Sequence, residues 1–108
     1  MNYTQNDRIA QVGDNTLVVG IDIGNEKHYA RAFTERGIEL SRKAFAFENT
    51  GIGFSRLDAW MEKLAEENGK GKIMVGFEPT GHYWFPLGHH LEDRGTEFVM
   101  VAPQHVKH

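Results

Sequence analysis

Two acidic residues stand in apolar segments where carboxylates are uncommon. Asp22 lies within the β-branched and apolar segment 16–23, and Glu78 directly follows the apolar segment 72–77. Aspartate is depleted inside strands because burying an unpaired carboxylate is heavily penalised. One interpretation makes each residue a metal ligand at the carboxyl end of a strand. The other makes both structural, with Asp22 capping a turn and Glu78 placed favourably near the amino end of the next helix.

The hydrophobic pattern predicts the elements of the first half of the chain. β-Branched and alternating residues indicate three strands joined by short turns, which is typical of an antiparallel meander. The strands are expected at residues 16–23, 28–34 and 38–47. Apolar residues then recur at three- and four-residue spacings, which predicts an amphipathic helix over residues 51–68. Thr50 is its expected cap, and Gly69 suits a left-handed residue past its end.

The second half of the chain predicts two strands with a helix between them. The strands are expected at residues 72–77 and 98–101, and the helix at residues 81–93. Thr80 is the candidate cap of this helix and Gly95 its end, while Pro86 inside it predicts a kink or an irregular first turn. Pro103 is placed to open a further helix.

The order β-β-β-α-β-α-β predicts an α/β fold. Helical connections between strands three, four and five imply right-handed crossovers and parallel pairing. The result is a mixed five-stranded sheet with helices packed on its faces, which is the ribonuclease H-like arrangement. Strands one and four are then parallel neighbours, so Asp22 and Glu78 project from adjacent strand ends.

Two close carboxylates favour a particular kind of site. They repel each other, and at neutral pH they coexist comfortably around a cation. Hard oxygen ligands favour Mg²⁺ or Mn²⁺, so Asp22 and Glu78 are the candidate metal ligands and catalytic residues. Two acids are too few for a working site, which needs at least one or two more.

Composition narrows the class of protein. The 108 residues suffice for one domain, expected over residues 16–108 after a flexible leader at 1–15. Cysteine is absent, which removes disulfides and thiolate sites, and no apolar run is long enough for a membrane span. The polar first residues lack the pattern of a secretory signal, which favours a cytoplasmic protein.

The net charge of −3 lacks the basic surplus that is usual in proteins that bind nucleic acid by neutralising its phosphates. The chain is therefore either no nucleic-acid binder or the acidic, metal-holding part of something larger.

Histidines and aromatic residues are the remaining candidates. No two of the six histidines have His-x-x-x-His spacing, so a zinc site is not expected. His82 could touch DNA or lie beside the metal ligands, and a place on the helix surface is at least as common. Tyr83, Trp84 and Phe85 could stack on bases, although packing of their helix on the sheet is the commoner use of such a cluster.

Three motifs carry a resemblance to a known family. They are Val19-Gly20-Ile21-Asp22-Ile23-Gly24, Gly76-Phe77-Glu78-Pro79-Thr80-Gly81-His82-Tyr83-Trp84 and Val101-Ala102-Pro103-Gln104-His105-Val106-Lys107. Together they resemble the amino-terminal domain of the insertion-sequence-110 transposases. These are DEDD transposases, and their relatives include the Piv site-specific invertases. The resemblance covers about residues 16–107, and the Glu-Pro-Thr-Gly segment with its trailing aromatics is its most specific part.

The resemblance implies a ribonuclease H-like (RuvC-like) catalytic domain with an Asp-Glu-Asp-Asp tetrad that binds Mg²⁺. Asp22 matches the first aspartate and Glu78 the glutamate, whereas the last two aspartates of the pattern fall beyond His108. The chain is therefore expected to be an amino-terminal fragment of a transposase that cleaves and joins DNA. As a fragment with half the tetrad, it is expected to be inactive and to bind Mg²⁺ weakly. DNA is the expected partner, a structured guide RNA and homo-oligomerisation are expected of the full-length protein, and no membrane partner is expected.

Two other functions stay open. A first strand that ends in Asp-x-Gly, as at Asp22 and Gly24, is also typical of actin-like and sugar-kinase ATPases, in which the acid handles Mg²⁺. That fold needs a second nucleotide-binding lobe. The other alternative is a non-catalytic assembly module of the same fold, in which the acids do no chemistry.

Overall fold

The structure, a computed structural model, describes residues 12–102 and contains five strands and two helices there. The strands are β1 (Thr16–Asp22), β2 (Lys27–Phe33), β3 (Phe45–Glu48), β4 (Lys72–Phe77) and β5 (Glu97–Met100), and the helices are α1 (Gly51–Glu67) and α2 (Phe85–Arg94). The predicted α/β class and element order are confirmed. Most of the expected leader and the helix expected after Pro103 lie outside the described residues.

The five strands form one mixed sheet in the order β3-β2-β1-β4-β5. The short connections give antiparallel pairing of β1 with β2 and of β2 with β3. The helical connections give parallel pairing of β1 with β4 and of β4 with β5. Strand β1 therefore lies at the centre, with β4 as its parallel neighbour, as the sequence predicts.

Both helices pack on the same face of the sheet. Strands β3, β4 and β5 run in the same direction, and each helical crossover moves the same way along the sheet. Connections of one hand then place both helices on one side. The buried core lies between this face and the helices, and its largest fully buried side chains are Phe47, Leu17, Leu57, Met61, Leu87 and Leu91.

The other face of the sheet is not covered by a helix of residues 12–102. Helices are expected on the faces of the sheet, whereas within the described residues both helices lie on one face. In β1, Leu17 and Val19 are fully buried beneath the helices, whereas Val18 and Gly20 are only partly buried and line an open hollow. Neither helix of these residues is both long and apolar enough to cross a membrane.

Helix α1 begins and ends as its sequence predicts. The Thr50 hydroxyl accepts a hydrogen bond from the Gly53 N–H at 3.1 Å, which satisfies one of the free donors of the first turn. Gly69 adopts a left-handed φ of 65° just past the Asn68 cap. Local capping chemistry therefore fixes both ends of this helix.

Helix α2 begins later than expected. It starts at Phe85 rather than residue 81, and Trp84 rather than Thr80 is its cap. Gly81 has a left-handed φ of 62°, so a right-handed helix cannot run through this residue. Pro86 therefore lies in the first turn, where its missing N–H costs nothing, so the helix has no cause to kink. The other expectation, an irregular start, matches the turn at residues 81–84.

Strand β3 is shorter than expected because side chains replace part of its ladder. The Ala32 N–H of β2 donates to the Ser41 hydroxyl at 3.1 Å instead of to a neighbouring carbonyl. Glu39 forms an isolated bridge with Phe33, and regular pairing starts again only at Phe45. Residues 38–44 thus border the sheet without extending the strand.

A polar cluster joins the two helices. The Asp58 carboxylate of α1 lies 2.7 Å from His90 Nε2 and 3.4 Å from Arg94 Nε, both on α2, and Asp58 is 8% exposed. We expect Asp58→Ala to lower the free energy of unfolding by about 1–3 kcal/mol, because it leaves the mostly covered His90 ring nitrogen without its acceptor, whereas the exposed Arg94 keeps Glu62 as a partner. Urea unfolding measures this, with the exposed Glu66→Ala on the same helix as the control. Equal effects of the two substitutions would show that the cluster contributes nothing.

Candidate metal centre

Asp22 and Glu78 lie side by side at one edge of the sheet. The parallel register of β1 and β4 ends with Ile21 opposite Phe77, so the two acids stand one residue beyond the last pair. Adjacent strands are about 4.8 Å apart in a sheet. Both acids are exposed, and both line the open face, two residues past the paired Gly20 and Gly76. The structure thus brings together the two residues that the sequence singled out.

The acids border a broad hollow on the open face. Its volume is about 1190 Å³, and its floor is mostly apolar, with Val18, Met74 and Val99 among the lining residues. Three acids line it (Asp22, Glu35 and Glu78). Glu35 pairs with Lys70 at 3.5 Å near the amino end of β1, so the charge that favours a cation beyond the carboxyl end of β1 is that of Asp22 and Glu78.

The basic group in the hollow is already paired. Arg31 is the one lysine or arginine among the described lining residues, and its guanidinium lies 2.6 Å from Glu39. This hydrogen bond holds the pKa of the Glu39 carboxyl below its usual range, with a further contribution from Ser41. Arg31 is therefore engaged on the sheet and does not neutralise Asp22 or Glu78.

The donor set suits part of a hard-cation site. Two carboxylates at one strand edge offer the oxygen ligands that Mg²⁺ and Mn²⁺ prefer. Within residues 12–102, no group of three or more histidine, cysteine, aspartate or glutamate side chains is arranged to hold a metal ion. The described residues therefore supply two ligands and leave the rest of a coordination sphere to other groups.

The aromatic segment after Glu78 divides between core and surface. Trp84 packs against Phe77, with ring centroids 5.9 Å apart, as expected of a core residue. Tyr83 and Phe85 are 41% and 50% exposed, contrary to the expectation of core packing. His82 is exposed and lies 4.5 Å from the Tyr83 ring. The late start of α2 explains the difference, since residues 81–84 form a turn rather than a helical face.

His28 is a site residue whose role the sequence did not reveal. It is fully buried beside Phe47, and its Nδ1 accepts a hydrogen bond from the Gly24 N–H at 3.1 Å, two residues after Asp22. Burial lowers the pKa of His28 below its ordinary value of 6.5, and Asn49 offsets this in part. The alternation of side chains along β2 is the sequence feature that could have revealed its burial. This alternation places His28 on the core side of the sheet, opposite Phe47 of β3.

His28 predicts a loss of stability in mild acid. Since its folded pKa is lowered, the unfolded chain binds the proton more readily. Stability therefore falls as the pH drops below about 6.5, by up to about 1.4 kcal/mol per pH unit for one group. Urea unfolding between pH 7.5 and 5.5 should show a steeper decline for the wild type than for His28→Gln. The exposed His89→Gln should decline like the wild type. Identical slopes for wild type and His28→Gln would contradict the prediction.

Comparison with known proteins gives one family. The model of the insertion-sequence-110 DEDD transposases (DEDD_Tnp_IS110), described as a transposase, matches residues 19–108 and so includes both Asp22 and Glu78. No curated protein matches the chain significantly. One similar solved structure is that of the foamy viral protease-reverse transcriptase dRH in complex with ds DNA, at 15% identity and a TM-score of 0.49. The match covers 87% of this chain and 21% of that one, so the chain spans about a fifth of its length.

Proposed function

Because the chain belongs to the DEDD transposase family of insertion-sequence-110 elements, we propose that it supplies half of a metal centre for DNA strand cleavage and joining. Membership of the family supports transposition as the general process. The finer proposal concerns what Asp22 and Glu78 do within it. Cytoplasmic location, association with a structured guide RNA and homo-oligomerisation of a full-length protein belong to the same proposal.

The placement of the two acids is the observation that carries this proposal. Asp22 and Glu78 follow adjacent parallel strands and line the same open face, where both side chains are exposed. A turn-capping role for Asp22 or a helix-dipole role for Glu78 would not require the two acids to lie close together. Helix α2 begins only at Phe85, seven residues after Glu78. The helix-dipole explanation of Glu78 is therefore weak, because that interaction falls off within the first turn.

The sheet supports a ribonuclease H-like assignment of the fold. Three antiparallel strands are followed by two parallel ones, in the order β3-β2-β1-β4-β5, with the central β1 ending at Asp22. In such a sheet the carboxyl ends of β1 and β4 lie at one edge, and ligands of open α/β sheets bind beyond the carboxyl ends of strands. The candidate centre is at that place.

Asp22 and Glu78 would hold the divalent ion through their carboxylate oxygens. A bound Mg²⁺ or Mn²⁺ would supply Lewis-acid chemistry there, by which the negative charge on the attacking and leaving oxygens of a phosphodiester is stabilised. The protein's own part is to hold two negative groups in fixed positions at the end of a rigid sheet. The remaining ligands, in this proposal, are the last two aspartates of the family pattern, which lie outside this chain.

The experiment is DNA cleavage by a transposase that carries this domain together with the last two acids. Labelled DNA with the ends of the element is incubated with Mg²⁺, Mn²⁺ or EDTA. We expect strand cleavage and joining with either ion and background levels in EDTA. Cleavage that persists in EDTA would overturn the metal-dependent mechanism. Thermal stabilisation by ATP with no DNA cleavage would favour the ATPase alternative instead.

A further inference from the structure

Asn49 connects the two loops that follow the candidate metal ligands. It lies between β3 and α1, and its side-chain Nδ2 donates to the Asn25 carbonyl at 3.3 Å and to the Tyr83 carbonyl at 3.2 Å. Asn25 is three residues after Asp22, and Tyr83 is five residues after Glu78. One amide group therefore contacts both segments that leave the metal edge.

The backbone itself does not make this connection. Register between β1 and β4 ends at Ile21 and Phe77. Within the described part of the chain, no backbone hydrogen bond joins residues 22–26 to residues 78–84. The Asn49 N–H also donates to the Glu26 carbonyl at 2.9 Å, which fixes the amide-bearing residue against the turn after β1. The side chain of Asn49 thus links the two loops beyond the last paired residues of β1 and β4.

The buried His28 is a neighbour of the Asn49 amide. Since His28 Nδ1 accepts from Gly24, the neutral ring carries its proton on Nε2. His28 Nε2 and Asn49 Oδ1 are both buried, and neither has a hydrogen-bond partner among residues 12–102. The ring N–H is a donor and the amide oxygen an acceptor; burial lowers the pKa of His28, and the neighbouring Asn49 offsets this in part. The nitrogen of the Asn49 amide is directed to the two carbonyls, at 3.3 and 3.2 Å.

We infer that Asn49 is a positioning residue that sets the placement of the Asp22 and Glu78 carboxylates relative to each other. This inference rests on the proposed function, because it concerns the same metal site. With the link present, the two loops are held as one unit and the ion meets two preorganised oxygens. Without it, each loop moves independently, and binding an ion must also order them. Loss of a group that orients metal ligands typically costs about 10- to 100-fold in affinity.

The test is Mn²⁺ affinity of the 108-residue chain, without any DNA reaction. Mn²⁺ is titrated against the ¹⁵N-labelled protein, and paramagnetic broadening of the Ile23 and Thr80 amides reports binding beside each acid. We expect Asn49→Ala to weaken this binding about tenfold. The matched control is Asn68→Ala, because the Asn68 Nδ2 also donates to a main-chain carbonyl, that of Leu64 at 2.8 Å, at the far end of α1.

Each outcome decides the inference. Weakened Mn²⁺ binding in Asn49→Ala with a retained spectrum, and unchanged binding in Asn68→Ala, supports it. Unchanged Mn²⁺ affinity in Asn49→Ala overturns it, even if the variant is less stable, and leaves the proposed metal site standing. Absence of broadening near both acids in the wild type overturns the metal site and this inference with it. If Asn49→Ala does not fold, Asn49→Ser is measured in its place, since its short hydroxyl cannot reach both carbonyls.

Discussion

Asp22→Asn and Glu78→Gln, in a transposase that carries this domain, are each expected to reduce DNA recombination at least about a hundredfold. Both amides keep the shape of the acid but lose its charge, so each variant loses an anionic ligand for the ion. A metal ion supplies several kcal/mol of transition-state stabilisation, and about 3 kcal/mol corresponds to roughly a hundredfold in rate. Both acids are exposed, so the substitutions should leave the fold intact. The measurement is the frequency of recombination between element ends.

The control for this prediction is Asp93→Asn, which neutralises an exposed acid on α2. It should recombine at the wild-type level. Circular dichroism and thermal unfolding of all three variants separate lost chemistry from lost structure. Recombination retained by the double variant Asp22→Ala and Glu78→Ala would eliminate the catalytic role and favour a non-catalytic assembly module of the same fold.

Phe47→Ala should lower the free energy of unfolding by about 3–5 kcal/mol, which is more than Asp58→Ala or Phe85→Ala should cost. Phe47 is fully buried in β3, with ring centroids 5.3 Å from His28, 6.1 Å from Phe45 and 6.5 Å from Phe54 of α1. Removing the ring leaves a cavity between the sheet edge and the helix that β-strand backbone cannot close. Urea unfolding at neutral pH measures the change in the free energy of unfolding.

The matched control is Phe85→Ala, which removes the same ring from a half-exposed position at the start of α2. It should cost less than about 1 kcal/mol, since exposed substitutions have small effects. A similar loss in both variants would mean that the β3–α1 contact is not the tight core that the structure describes. Because Phe47 packs on His28, the Phe47→Ala variant should also show a weaker decline in stability below pH 6.5.

The central strands and α1 could be predicted from the sequence because their determinants are local. Thr50 and Gly69 carry their own capping geometry, and β4 was expected at residues 72–77, where the structure has it. The meeting of Asp22 and Glu78 follows from the parallel pairing of β1 and β4, which the element order implies. For these features, periodicity and topology contain the necessary information.

The errors and omissions come from backbone turns and side-chain hydrogen bonds that hydrophobic periodicity does not encode. The Ser41 hydroxyl takes the Ala32 N–H and shortens β3, and no strand pattern reveals that competition. The late start of α2 depends on the left-handed Gly81 ahead of Pro86. Asn49 reads as an ordinary loop residue, because its two carbonyl partners lie 24 and 34 positions away in the chain. Such roles become visible only when the loops are placed together.

The most direct measurement of the central claim maps Mn²⁺ binding on the ¹⁵N-labelled 108-residue chain. Two carboxylates beyond the carboxyl ends of β1 and β4 should hold the ion weakly but in one place. Broadening is therefore predicted to centre on the amides of Ile23 and Thr80, and to disappear there in the double variant Asp22→Asn and Glu78→Gln. Broadening that centres instead on the acidic surface of α1 around Glu66, or that persists at Ile23 and Thr80 in the double variant, would contradict the account.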